Sequence, residues 1–156
     1  MRSALRFVLL AGLLLVLPGA AGGQSYVATI TPDQEVPPTP STASGACNFS
    51  LDASKVLSFD ITIGGLHGAE TSASIHGPAS AGVSAGILFT LPVGGTKTGS
   101  LGPLTAAQVA DLQAGLWYVN IHTSHHASGE IRGQIRGAVA VQPGTWGGIK
   151  VLYRIR

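Results

Sequence analysis

A single cysteine, Cys47, stands among 156 residues, which excludes an internal disulfide. Stability must then come from apolar burial and backbone pairing. The apolar neighbours Ala46 and Phe49 mark Cys47 as a small buried residue, an intermolecular bridge being the alternative. Charge is also scarce, with Asp, Glu, Lys and Arg making up 10% of the chain. Of the nine basic residues, Arg2 and Arg6 lie in the first six positions; without them seven basic residues face seven acidic ones. Lys150, Arg154 and Arg156 crowd the last seven positions. No basic stripe is left for a nucleic-acid partner. Missing too are a Gly-x-Ser-x-Gly elbow, a phosphate loop, a local cysteine–histidine pair and two carboxylates on one element. No segment is apolar for long enough to span a bilayer: Phe7 to Leu17 would rise only about 16 Å as a helix, roughly half the apolar thickness.

That short run nevertheless has a meaning. Arg2 and Arg6 precede it and the small residues Gly19 to Gly23 follow it, the three-part plan of a secretory signal. Residues 1–23 are therefore read as a signal peptide, cleaved after Ala21 or Gly23, with Gln24 the working mature start. No cysteine follows the run closely enough to carry a lipid. The expected location is secreted, extracellular or periplasmic. Gln24 to Arg156 is 133 residues, the size of one domain with its own core.

Short alternating segments separated by Gly, Pro and Ser fill this domain. In Val56 to Ile63, Leu57, Phe59, Ile61 and Ile63 point one way and Ser58, Asp60 and Thr62 the other, the period of a strand with one face on a core. Ala46 to Leu51 should pair with it as a hairpin through Asp52 to Lys55. Further strands are expected at Tyr26 to Ile30, Thr71 to His76, Gly86 to Leu91, Trp117 to Thr123 and Glu130 to Ala140. One helix is written at about 105–114, where Thr105 and Gln108 form a capping box, Leu104 can staple onto Val109 and Gly115 ends the turn. Four prolines make Pro32 to Ser44 an extended connector or edge segment. The fold class is all-β: an antiparallel immunoglobulin-like β-sandwich or barrel with one short helix.

Histidine is the residue type whose placement invites chemistry. With Trp117, Val119 and Ile121 turned inward, Tyr118, Asn120 and His122 share the opposite face, and Glu130, Arg132, Gln134 and Arg136 should join them across a six-residue turn. This polar face is the candidate binding surface, with Glu130 and Arg132 expected to form an ion pair. A second reading is a metal site for copper or zinc built from His76 and His122 with His125 or His126, since neutral imidazoles are good ligands for both. The bland alternative hydrogen-bonds His122 into the sheet and leaves His125 and His126 solvated. His67 stands apart in a Gly-rich loop, and Asn48-Phe49-Ser50 matches the glycosylation sequon.

Three blocks carry a family likeness: Gln34-Glu35-Val36-Pro37-Pro38, Ile75-His76-Gly77-Pro78-Ala79, and Tyr118 to Thr123 followed by Gly129-Glu130-Ile131-Arg132-Gly133-Gln134-Ile135. Together they resemble the CHRD domain, named after chordin, over about Tyr26 to Val139, and the CHRD-like domain is drawn at 24–142. The resemblance implies an extracellular β-sandwich-like module. In chordin such modules belong to a protein that captures growth factors of the bone-morphogenetic type; stand-alone members carry no assigned activity. The family usually shows His-Ile-His where this chain has Ser74-Ile75-His76, so a site sharing both family histidines would lack one donor here.

The expected function is a secreted, non-catalytic binding or structural module recognising an extracellular protein or surface polymer, with no cofactor firmly implied. The metal-binding, redox-capable reading through His76 and His122 is the alternative. Residues 143–156 form a basic, aromatic tail whose conformation, helix or strand, is open, and which faintly resembles sorting or anchoring tails of exported bacterial proteins.

Overall fold

Alternation in the sequence becomes alternation in space along Leu57–Gly64, where every second side chain is buried and its neighbours are exposed. This and the other elements are seen in a computed structural model, which describes residues 23–138. The strands are β1 (Gln24–Ile30), β2 (Ser44–Leu51), β3 (Leu57–Gly64), β4 (Glu70–His76), β5 (Ile87–Leu91), β6 (Thr96–Leu101), β7 (Tyr118–Thr123), β8 (Ile131–Gln134) and β9 (Arg136–Gly137). The helix α1 spans Ala106–Gln113. Strands β6-β3-β2-β1-β9 make a five-stranded antiparallel sheet, and β5-β4-β7-β8 a four-stranded one. The fold is thus an all-β sandwich with one short helix. The expected signal segment (all of it but Gly23) and the tail at 143–156 lie outside the described residues. Among the described residues no helix is long and apolar enough to cross a membrane.

The core lies between the sheets. The β2–β3 hairpin sets Cys47 opposite Ile61, Phe49 opposite Phe59 and Leu51 opposite Leu57, and all six are buried. From the other sheet Ala73, Ile75, Val119, Ile121 and Ile131 belong to the same cluster, with Trp117 wholly buried among them. Burial pushes the Cys47 thiol up to about 12, the charge on Lys97 opposing it, so the one thiol is a packed, unreactive group. At the helix, Thr105 caps the N-terminus and exchanges the reciprocal bonds with Gln108. Gly115, at φ +69°, closes the other end: its N–H donates to Leu112 O and that of Leu116 to Asp111 O.

Two segments depart from the sequence reading. The strand expected over Glu130 to Ala140 divides at Ile135: β8 pairs with β7, while β9 pairs with Tyr26 and Val27 of β1 in the other sheet. Ile135 is fully buried at the crossing, and Arg136, expected on the polar face, is exposed beyond it. Strand β6 has no counterpart in the sequence reading, because its inward position opposite Ile61 is held by Lys97 and its position opposite Phe59 by Gly99. Hydrophobic alternation is what identifies a half-buried strand, and β6 has none. Lys97 instead reaches across the sandwich to an ion pair with Glu70 of β4, 2.8 Å away, and also donates to Gly94 O. An inward charge on an edge strand discourages pairing with further chains.

Candidate functional site

The outer face of the four-stranded sheet holds nearly all the residues of the expected polar surface, in register. Ser74 of β4, Asn120 of β7 and Arg132 of β8 form one row; His76, Tyr118 and Gln134 form the next; His122 lies opposite Ser72. This face is covered. A strap, residues 31–43, runs over β8, where Thr31 and Arg132 exchange backbone hydrogen bonds of 2.9 and 3.1 Å. A loop, residues 77–86, folds over β4 and β7. Tyr118, Asn120, Arg132 and Gln134 are accordingly buried, and His122 is half-buried.

Planar groups stack beneath the loop. The Arg132 guanidinium lies 3.4 Å from the Tyr118 ring centroid. The ring of His76 stacks on Tyr118 with centroids 5.0 Å apart, and that of His122 lies 6.5 Å from His76. Each of the first three also grips the loop: Arg132 Nη2 donates to Val83 O (2.8 Å), Tyr118 Oη accepts from the Ala85 N–H (2.9 Å), and His76 Nδ1 meets Ala85 O (3.0 Å). Gln134 Nε2 donates to Ala79 O and Gly115 O. Burial holds the His76 imidazole below its ordinary value, His122 and Arg132 adding to this and the bond to Ala85 opposing it. The family-like blocks therefore form a polar clasp that fastens a loop to the sheet.

Glu130 leaves that clasp. The ion pair expected with Arg132 is not formed; the fully buried carboxylate accepts from Ser41 Oγ (2.7 Å) and the His67 N–H (2.8 Å) at Oε1, and from Thr123 Oγ1 (2.6 Å) at Oε2. Burial alone would raise its pKa, but these hydrogen bonds and the nearby His126 prevail and lower it. Thr39 Oγ1 also donates to Glu130 O, so strap, β3–β4 loop and β7–β8 turn meet on one residue.

The second expected set, His76, His122, His125 and His126, is not brought together. His76 and His122 stack, but Nδ1 of His76 is bonded to Ala85 O, its Nε2 to Ser74 Oγ (3.1 Å), and His122 Nδ1 to Ala127 O (2.9 Å). His125 is exposed, and His126 faces His67 with ring centroids 6.1 Å apart. Both ring nitrogens of His76 and Nδ1 of His122 are thus engaged by carbonyl or hydroxyl oxygens instead of pointing at a common centre.

Glu35, quoted above only as part of a motif, is the residue the sequence reading missed. It comes down from the strap, is 6% exposed, and its Oε1 has no partner among the described residues. Burial pushes its carboxyl up to about 7, against the attraction of Arg132 and a backbone bond at Val36. Asn120 Oδ1 and Gln134 Oε1 are likewise buried without a partner. Gly129, at φ +126°, permits the approach: a Cβ there would stand 2.6 Å from Glu35 Oε1 and 2.7 Å from Asn120 Oδ1. Between strap and loop opens a cleft of about 340 Å³, lined by Asp33, Gln34, Glu35, Ala81, Gly82, Arg132 and Gln134. The only signal for Glu35 was a carboxylate, with Asp33 two residues before it, in a proline-rich connector.

No curated protein and no solved structure matches this chain. A family model does, that of the CHRD domain, over residues 26–135, which takes in the strap, the loop and every residue of the clasp. The chain belongs to the CHRD domain family.

Proposed function

We propose that this protein is an exported, non-catalytic binding module that holds a segment of an extracellular protein or surface polymer in the cleft between the strap and the 77–86 loop. One observation carries the reading: Glu35 and Gln134 bring buried acceptor oxygens without partners to a cleft that Arg132 also lines. Buried polar groups are almost always hydrogen-bonded, and such exceptions mark where a ligand or ordered water completes the set. The ligand should supply N–H or O–H donors, as polypeptide amides and sugar hydroxyls do. Export is supported by the basic, apolar and small-residue sequence at the N-terminus.

Ala81 lines the cleft and is exposed, outside the clasp. Ala81→Trp should fill the cleft and leave the fold intact. The purified protein and this variant are compared on arrays of extracellular peptides and surface polysaccharides. Binding by the parent, lost or weakened at least tenfold in the variant with an unchanged melting temperature, supports the cleft. Equal binding by both, or none by the parent, removes it. Mass spectrometry of protein recovered outside the cytoplasm tests export: an N-terminus near Gln24 is expected, and an uncleaved chain retained inside refutes it.

A further inference from the structure

The geometry points to a divalent-cation site at the end of the sandwich, apart from the cleft, in which His67, His126 and Glu130 bind zinc or a neighbouring first-row metal. One ring nitrogen of each histidine and one carboxylate oxygen of Glu130 all lie within 4.8 Å of one another. Donors at bond lengths of about 2.1 Å around a tetrahedral ion stand about 3.4 Å apart, so rotation of exposed His67 and half-buried His126 closes the set. His67 comes from the β3–β4 loop, and His126 and Glu130 from the β7–β8 turn, Glu130 standing just before β8. They are 59 and 4 positions apart in sequence, and only folding joins them.

Three features make this a built site. First, the carboxylate is fixed: Ser41, Thr123 and the His67 N–H hold it from behind, as outer groups orient metal ligands elsewhere. Oε2 accepts one hydrogen bond and keeps a lone pair for a metal. Second, neither imidazole has its ring nitrogens engaged by any of the described residues, in contrast with His76 and His122. Third, the His67 backbone N–H is bonded to the Glu130 carboxylate, so the loop holds the freely rotating ring within reach of it. Two nitrogens and one oxygen suit zinc, copper, nickel or iron more than calcium or magnesium, which prefer all-oxygen shells. With three protein donors the fourth position stays open to water.

The test uses the untagged protein, stripped with chelator and titrated with Co²⁺ and then Zn²⁺. The site predicts one Co²⁺ per chain with visible d–d absorption, displaced by one Zn²⁺. His67→Ala and His126→Ala should each weaken binding at least about tenfold, and the double variant should not bind stoichiometrically. Both rings lie at the surface and neither holds the fold, so circular dichroism should be unchanged. His125→Ala, the exposed neighbour, should bind like the parent. Substoichiometric binding by the parent, parent-like affinity in both single variants, or an equal loss in His125→Ala would each overturn the assignment. Peptide or polymer binding at the cleft is measured separately with the His67→Ala variant, so failure of one reading is distinguishable from failure of the other.

Discussion

The two sheets of this sandwich obey one period and use it differently. On the five-stranded sheet, Ser50, Ser58 and Ser100 lie side by side, as do Asn48, Asp60 and Thr98, and this outer face is open to solvent. On the four-stranded sheet the outer face is just as polar, but the strap and the 77–86 loop seal it, so Ser74, His76, Asn120, Arg132 and Gln134 are buried. In the first sheet polar side chains satisfy water; in the second they must satisfy one another and the covering backbone. A buried donor or acceptor left unpaired costs about 1–3 kcal/mol, while an exposed one costs almost nothing. The covered face is therefore where substitutions should matter and where unpartnered oxygens carry information.

Four perturbations would break or sharpen this contrast. The largest effect should come where the sheets are joined by charge. Lys97→Met leaves Glu70 without its partner and should destabilise by about 3–5 kcal/mol in urea denaturation. Adding Glu70→Leu should recover most of the loss; a double variant as unstable as the single one would show that Lys97 acts through packing instead. Next comes the clasp. Arg132→Ala removes the stack on Tyr118 and the bond to Val83, and should cost about 2–4 kcal/mol. It should also raise hydrogen exchange in residues 80–86 above that elsewhere, which uniform destabilisation would not do.

The third is a pH effect. The Glu35 carboxyl titrates at about 7 in the folded protein and near its ordinary 4.5 when unfolded. Between those values the native state holds more protons, so the stability Glu35 contributes is full below about 4.5 and declines as pH rises to about 7. Glu35→Gln removes that decline. At pH 8 the variant should exceed the parent by the order of 2 kcal/mol, with little difference at pH 4.5, measured by denaturation at both values. Glu130, with its lowered pKa, acts in the opposite sense, its contribution fading as pH falls, but it is common to both proteins and cancels. The smallest effect belongs to the open face: Thr98→Ala should change stability by less than about 0.5 kcal/mol. A loss comparable to that of Arg132→Ala would abolish the distinction between the faces.

Much of this architecture is legible along the chain. Clean alternation in Leu57–Gly64 and its partner β2, the Thr105–Gln108 capping box and the Gly115 stop are local patterns, and local patterns survive folding. Strand β6 escaped because its inward positions hold the lysine of an ion pair and a glycine that leaves room for the Phe59 ring, instead of a continuous apolar stripe. The division of β8 from β9 escaped because nothing in Ile135-Arg136-Gly137 records a change of sheet. For the candidate sites, period 2 placed Tyr118, Asn120 and Arg132 together but could not report that the face is covered. Equally, no spacing rule links His67 to His126 and Glu130, or Glu35 to Asn120.

By itself, then, the amino-acid sequence determined the β class, the single helix, the family-like blocks and which side chains share a face, because each follows from the period of a strand or the chemistry of a cap. Tertiary structure alone decided which of the two polar faces meets water, which carboxyl has its pKa raised by burial, and which histidines converge. Those outcomes depend on long-range closure of the strap and loop, and burial of a polar group is a property of everything packed around it.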